Sequence, residues 1–305
     1  MNGLTLPQRL RRRWDALPGN TRGLIWVALA MIAYTAMNMC LKRLGTELSE
    51  LQSLFLRAVA VLALLAPLAV RGRGAGLYSR KPGLHLARVV LTAGAGLAST
   101  YAVNRLPLAQ STVFSLTIPL MLIPLGLVFL RESVRPLRWL GVLTGFGGVW
   151  LIAQPQGGDF SPAMAVALLG AFIEALLGVA LKKGAESETA LAMIFWSYCG
   201  QALLFGGLGG AALPPLSPEA WLLVLAMGGF SLLTGWLFVL GYRAGEASAV
   251  EPGSFSMLIF GALGGHWLFG EALDPMLWAG GAVLLAGLVL VAWEPRPARL
   301  CDAPR

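Results

Sequence analysis

The stretch FGEALDPMLWAG, residues 269–280, decides how this chain is built, because its skeleton already stands at FLRESVRPLRWLG, residues 129–141. Glu132, Pro136, Trp139, Gly141 and Gly148 recur as Glu271, Pro275, Trp278, Gly280 and Gly287, each 139 residues further on. The flanks echo in register too. Leu41-Lys42-Arg43 returns as Leu181-Lys182-Lys183 at an offset of 140, and NRLPLAQSTV (104–113) resembles YRAGEASAVE (242–251) at 138. Shared apolar composition produces scattered matches, but a Glu, a Pro and a Trp in register, with registered flanks, indicate a duplicated unit. The copies differ in charge. The first carries Arg131, Arg135 and Arg138, whereas the second has Glu271 and Asp274 with no base between residues 269 and 280.

The unit repeated is apolar. Of 305 residues, 57% are hydrophobic and 12% charged, and the mean hydropathy of +0.71 is that of a chain in lipid. Windows of about 20 residues, enough to span a hydrocarbon core, predict ten helices, at 23–43, 51–70, 86–104, 107–130, 136–153, 161–182, 189–211, 218–242, 247–269 and 275–293. The apolar runs are continuous, which excludes a membrane barrel with its alternating faces. The expected fold is an all-α polytopic membrane protein. It comprises a first five-helix repeat over 23–153 and a second over 161–293.

Five spans per copy is an odd number, so the second copy enters the membrane inverted. With the N-terminus inside, nineteen of the 23 Lys and Arg residues fall on cytoplasmic segments. Lys42, Arg43 and Arg105 fall outside, with Arg57 in the second span, and both termini are cytoplasmic by the positive-inside rule. Sidedness thus accounts for the opposite charges of the two junctions. Glu47 and Glu50 are near enough to offset Lys42 and Arg43. Residues 1–22, with Leu6, Leu10, Trp14 and Leu17 beside Arg9 and Arg11–Arg13, suit a basic amphipathic segment on anionic headgroups or a tail held inside by its arginines. Residues 294–305 form a cytoplasmic tail, and the first span is too long for a signal-peptide core. Inverted repeats are a common design of secondary transporters.

These residues resemble the drug/metabolite transporter superfamily in its ten-helix form with paired EamA-type domains. The halves of such proteins close as RESVRPLRWLGVLTGFGG and GEALDPMLWAGGAVLLAG do here. Arg57 in LFLRAVAVL and the fourth span's LPLAQSTVFSLTIP, ending at Pro119, also match. The likeness covers residues 22–293 and is better in the first half, since the second has Ser197 near the place of Arg57 and Leu258 near that of Pro119. It implies a gradient-driven carrier of the bacterial inner membrane, usually an exporter, of amino acids, drugs, vitamins, nucleoside-like compounds or metallophores.

A charge at mid-membrane costs about 2.5 kcal/mol or more, so the few deep polar residues are candidates. Glu174 in LLGAFIEALLGVALKK is the sharpest, as a proton-exchanging carboxylate or a holder of a cationic group; a protonated helix–helix hydrogen bond is its structural alternative. The repeat offset of 140 brings it to Tyr34, and Asn38 lies one turn beyond, as cavity wall or as polar glue between spans. Glu251 before Pro252 reads first as an N-terminal cap and second as part of a broken-helix site. Tyr101, Asn104 and Trp236 are further lining candidates. Pro119 and Pro124 are hinge candidates or plain kinks, and Arg57 reads as a snorkelling anchor rather than a ligand. His266 reads as structural, and His85 falls in a loop. Gly141, Gly145, Gly148, Gly280 and Gly287 suit close packing, of span five on span ten or between protomers of a homo-oligomer.

Cys40, Cys199 and Cys301 show no disulfide framework or metal-ligand spacing. No cofactor or metal site, and no HExxH, GxSxG or P-loop motif, is found, so an enzyme has little support. The net charge of +8 tracks span ends, which favours the bilayer over nucleic acid as partner. The expectation is therefore a carrier, with no cofactor, exporting a small amphipathic or zwitterionic metabolite by alternating access on an ion gradient, with protons a candidate coupling ion. The alternatives are an uptake carrier for a vitamin or nucleoside-like compound, and a membrane enzyme or channel.

Overall fold

The computed structural model describes residues 14–71, 75–79, 81–131, 136–153, 161–185, 187–270 and 275–292. All elements among these residues are helical, as the continuous apolar runs require. They are α1 (Gly19–Leu44), α2 (Glu50–Arg71), α3 (Pro82–Arg105), α4 (Leu108–Ser115), α5 (Ile118–Leu125), α6 (Pro136–Ala153), α7 (Pro162–Ala185), α8 (Ala190–Phe205), α9 (Pro218–Ala244), α10 (Ala247–Val250), α11 (Ser256–Phe269) and α12 (Pro275–Ala292). Among the described residues, six helices are long and apolar enough to cross a membrane, namely α1, α2, α3, α7, α9, and α8 with the π-helical turn Gly206–Gly210 that continues it. The protein is a polytopic α-helical membrane protein. The junction residues Glu132, Arg135, Glu271 and Asp274, and both chain ends with Cys301, lie outside the described residues.

Helix starts are written locally. Proline opens α3, α6, α7, α9 and α12, where its missing amide hydrogen is not needed. Thr189 and Ser217 cap α8 and α9 by accepting from the amides of Ala192 and Ala220. The fourth and ninth spans are interrupted. Leu116 and Thr117 separate α4 from α5, the Thr117 amide bonding back to the Phe114 carbonyl at 3.1 Å, and a 3-10 segment, Glu251–Phe255, separates α10 from α11. Pro119 therefore lies in the first turn of α5 rather than in mid-helix, and the break precedes it; Pro124 stays inside α5.

Packing is reciprocal between the halves. Helix α1 packs on α9, as α3 packs on α7, while α2 packs on α8, α4 on α11, and α6 on α12. The glycine stripes are used inside the chain: a Cβ on Gly287 would stand 2.5 Å from the Gly141 carbonyl oxygen and 2.7 Å from the Gly145 nitrogen. Ends are tied likewise. At one, Arg105 Nη1 meets Glu50 Oε1 at 2.5 Å; at the other, Arg243 donates to the carbonyls of Ala185 (3.0 Å) and Glu188. Glu50 and Arg105 precede Glu188 and Arg243 by 138 residues each.

Two charge assignments change. Arg43 pairs with Glu219 at 3.8 Å and Lys42 sits 5.0 Å over the Phe269 ring, because Glu50 is taken by Arg105. His85 is not in a loop: it lies in the first turn of α3, buried, with Nε2 3.8 Å from Glu188 Oε2.

Candidate functional site

The site grows from the small-residue stripe of α7. Ala163, Ala167, Gly170, Ala171, Ala175 and Gly178 are buried at helical spacing, and Glu174 stands one turn from both Gly170 and Gly178. These small residues let neighbours approach closely, a Cβ on Gly170 standing 2.9 Å from that of Ala98 on α3, and one on Gly178 3.1 Å from the Tyr242 hydroxyl. Glu174 is thereby enclosed between α1, α3 and α9.

The Tyr34 hydroxyl lies 3.5 Å from both Glu174 Oε1 and Ser99 Oγ, long contacts that join α1, α7 and α3. Three adjoining cavities meet at Glu174. The first, of about 120 Å3, is lined by Tyr34, Glu174, Tyr242 and Glu251 with Met31, Phe238 and Met257. The second is narrow and bounded by Asn38, Ser99, Ser111, Thr112 and Glu174. The third, also about 120 Å3, is lined by Tyr34, Arg57, Thr92, Ser99, Glu174, Tyr198, Ser231 and Thr234.

Glu251 corrects its first reading. Its helix breaks there, and the carboxylate, 4% exposed, turns inward and accepts from the Tyr242 hydroxyl instead of capping a helix in solvent. Tyr242 is held in turn because Lys182 Nζ donates to the carbonyls of Tyr242 (2.9 Å) and Gly245 (2.7 Å) at the end of α9. Arg57 is the second correction. It is 7% exposed, does not snorkel, and reaches Gln201 Oε1 at 3.4 Å and the Met37 sulfur at 3.8 Å. Gln201 of α8, itself fully buried, lies against the guanidinium, a packing that span hydropathy does not reveal.

Tyr34, Asn38, Glu174 and Glu251 thus come together, while Tyr101, Asn104 and Trp236 do not join the cavities. The Tyr101 ring carries the Arg105 guanidinium 3.7 Å above it, Asn104 lies against Gly45 at the end of α1, and Trp236 is 37% exposed on the outer face of α9. Tyr242, Ser99 and Gln201 were missed by sequence reasoning. Tyr242 had a signal, since it occupies the place of Asn104 at the 138-residue offset. His266 is exposed on α11.

A largely apolar cavity within a helical bundle, with a carboxylate pair and, among the described residues, no nucleophile–base array, is built to hold and release a small molecule rather than to transform it. Comparison with known proteins agrees. The EamA-like transporter family matches residues 21–154 and again 161–293, and the chain belongs to that family. It is a membrane transporter of the drug/metabolite superfamily and not an enzyme. Similar proteins include the S-adenosylmethionine uptake transporter of Rickettsia bellii, 26% identical over 93% of this chain and 98% of the relative. The riboflavin transporter of Vibrio cholerae is 27% identical over 91% and 95% of the two chains, and the pseudopaline exporter CntI of Pseudomonas aeruginosa 24% identical over 88% and 95%. A solved crystal structure shares the fold with a TM-score of 0.69 at 18% identity, covering 88% of this chain and 96% of that one.

Proposed function

We propose that this transporter is an ion-gradient-driven carrier of the bacterial inner membrane that exports a small amphipathic or zwitterionic metabolite by alternating access, with protons as the coupling ion. Its ten spans form two inverted five-helix repeats, residues 23–153 and 161–293, with cytoplasmic termini and tails at 1–22 and 294–305. The observation that carries this reading is the meeting of Tyr34 and Glu174 at the cavity centre. They lie 140 residues apart, the repeat offset, so the two copies of one position face each other. The reciprocal helix pairing supports the same arrangement. A pseudo-two-fold axis through the substrate site makes inward-open and outward-open forms nearly equal in energy. Glu174 then exchanges a proton, or a cationic group of the cargo, as the cavity changes sides.

The test is reconstitution. Purified protein in liposomes under a pH gradient is offered a bacterial metabolite extract, and lumenal compounds are identified by mass spectrometry. The expectation is saturable, gradient-dependent movement of at least one compound, lost in Glu174→Gln while helicity and monodispersity are kept. Movement equal to that in protein-free liposomes refutes the carrier reading, unsaturable conductance turns it into a channel, and unchanged pH-dependent flux in Glu174→Gln removes that residue from coupling. Single cysteines placed near Arg135 and Asp274 should label from opposite compartments. An uptake direction is the second reading, favoured by the likeness to the Rickettsia uptake transporter; right-side-out and inside-out vesicles separate the two.

A further inference from the structure

Of the three cavities that meet at Glu174, two form chemically different lobes. On one side of the Tyr34–Glu174 contact, the lobe of Met31, Phe238 and Met257 holds the carboxylates of Glu174 and Glu251, and among the described residues no basic side chain lines it. On the other side, the lobe holding Arg57 shares Glu174 and is lined besides by hydroxyl-bearing side chains, among them Ser99, Thr92 and Tyr198. Arg57 is 7% exposed, and its hydrogen-bond partners are neutral and distant, an amide oxygen at 3.4 Å and a thioether sulfur at 3.8 Å. Its Nε and the hydroxyl of Thr92 are buried without hydrogen-bond partners. Among the described residues no carboxylate oxygen lies within 4.0 Å of the guanidinium. A guanidinium offers five donors in a fork that matches a carboxylate, and a buried one with donors left over is held open for an acceptor-rich group. Glu174, common to both lobes, supplies what a cation needs, with Glu251 beyond it.

We propose that Arg57 is the specificity-determining receptor for a carboxylate of the cargo, so that the site takes a compound with an α-amino-acid head, its carboxylate on Arg57, its ammonium at Glu174 and its body among Met31, Phe238 and Met257. This deepens the carrier reading and rests on it. A purely cationic compound leaves the guanidinium unpaired; an esterified one puts a neutral group there. Both are rejected by the same rule, that a buried donor left without its partner costs affinity.

The experiment offers detergent-purified protein three pools: the common protein amino acids, their methyl esters, and the amines made from them by decarboxylation. Ligand retained on equilibrium dialysis is read by mass spectrometry. The expected result is an amino acid retained about tenfold or more over its own ester and amine, the ratio that loss of a charge-assisted hydrogen bond produces. Arg57→Lys, which keeps the charge and loses the fork, should narrow that ratio several-fold in monodisperse protein. Esters or amines retained as well as the acids, a preference unchanged in Arg57→Lys, or no retention from any pool overturns the assignment. If the variant fails to fold, the wild-type ratio decides alone. Gradient-driven flux of an amine as fast as its amino acid would overturn this assignment and leave the carrier standing, whereas discrimination in detergent without gradient-driven flux would sink the carrier reading and leave Arg57 as receptor.

Discussion

Substituting Gly287 with alanine puts the packing of α6 on α12 to a quantitative test. The added Cβ would lie 2.5 Å from the Gly141 oxygen, 2.7 Å from the Gly145 nitrogen and 3.0 Å from the Gly145 Cα. All three are backbone atoms, so no rotamer change relieves the overlap. Reaching ordinary contact near 3.4 Å requires the helices to part locally by about 0.9 Å, from 3.4 less 2.5. Overpacking of this kind costs roughly 1–3 kcal/mol. Alanine's better helix propensity returns up to about 1 kcal/mol, leaving a net loss of about 1 kcal/mol. Gly147 on α6 has nothing within 4 Å of its Cβ position, so Gly147→Ala carries the propensity gain alone. The two variants should differ by about 2 kcal/mol in SDS-induced unfolding from mixed micelles, followed by far-ultraviolet circular dichroism. Equal stability of the two would refute the claim that α6 and α12 touch backbone to backbone at these glycines.

Tyr34→Phe removes the hydroxyl that lies between Glu174 and Ser99 without changing the cavity wall; flux in liposomes should fall several-fold with unfolding unchanged, and wild-type flux would show the contact to be idle. Arg243→Ala should cost about 2 kcal/mol, as it strips charge-assisted bonds from the carbonyls of Ala185, the last residue of α7, and Glu188 just beyond it. Arg105→Ala breaks a partly exposed pair with Glu50 and should cost at most about 1 kcal/mol, less in high salt. Unfolding of both variants at low and high salt checks that order, and a larger, salt-independent loss for Arg105→Ala would contradict it. Pro119→Ala should leave transport nearly unchanged because the helix breaks before it, at Leu116 and Thr117; a large loss of flux would restore Pro119 as a hinge.

Much of this molecule is written in one dimension. Span positions follow from continuous apolar runs, since lipid tolerates only backbone that satisfies its own hydrogen bonds. The windows 136–153 and 247–269 coincide with α6 and with the run from α10 to α11. The duplication is legible because Glu, Pro and Trp in register resist chance. Glu174 is legible because a carboxylate amid LLGAFIEALLG has no cheap surface to reach. Helix rotation is not written there. Lipid and the packed interior are both apolar, so no polar stripe marks the inward face of a span. Only the tertiary structure turned Trp236 outward, set Tyr101 against Arg105, and drew Arg57 in against Gln201 of α8. It also carried Glu251 past the expected cap into the cavity, since a proline one residue later breaks the helix and Tyr242 from another helix supplies the hydrogen bond. Lengths and insertion are properties of single segments in lipid; the site is a property of how segments from both halves pack, and it exists only once they have done so.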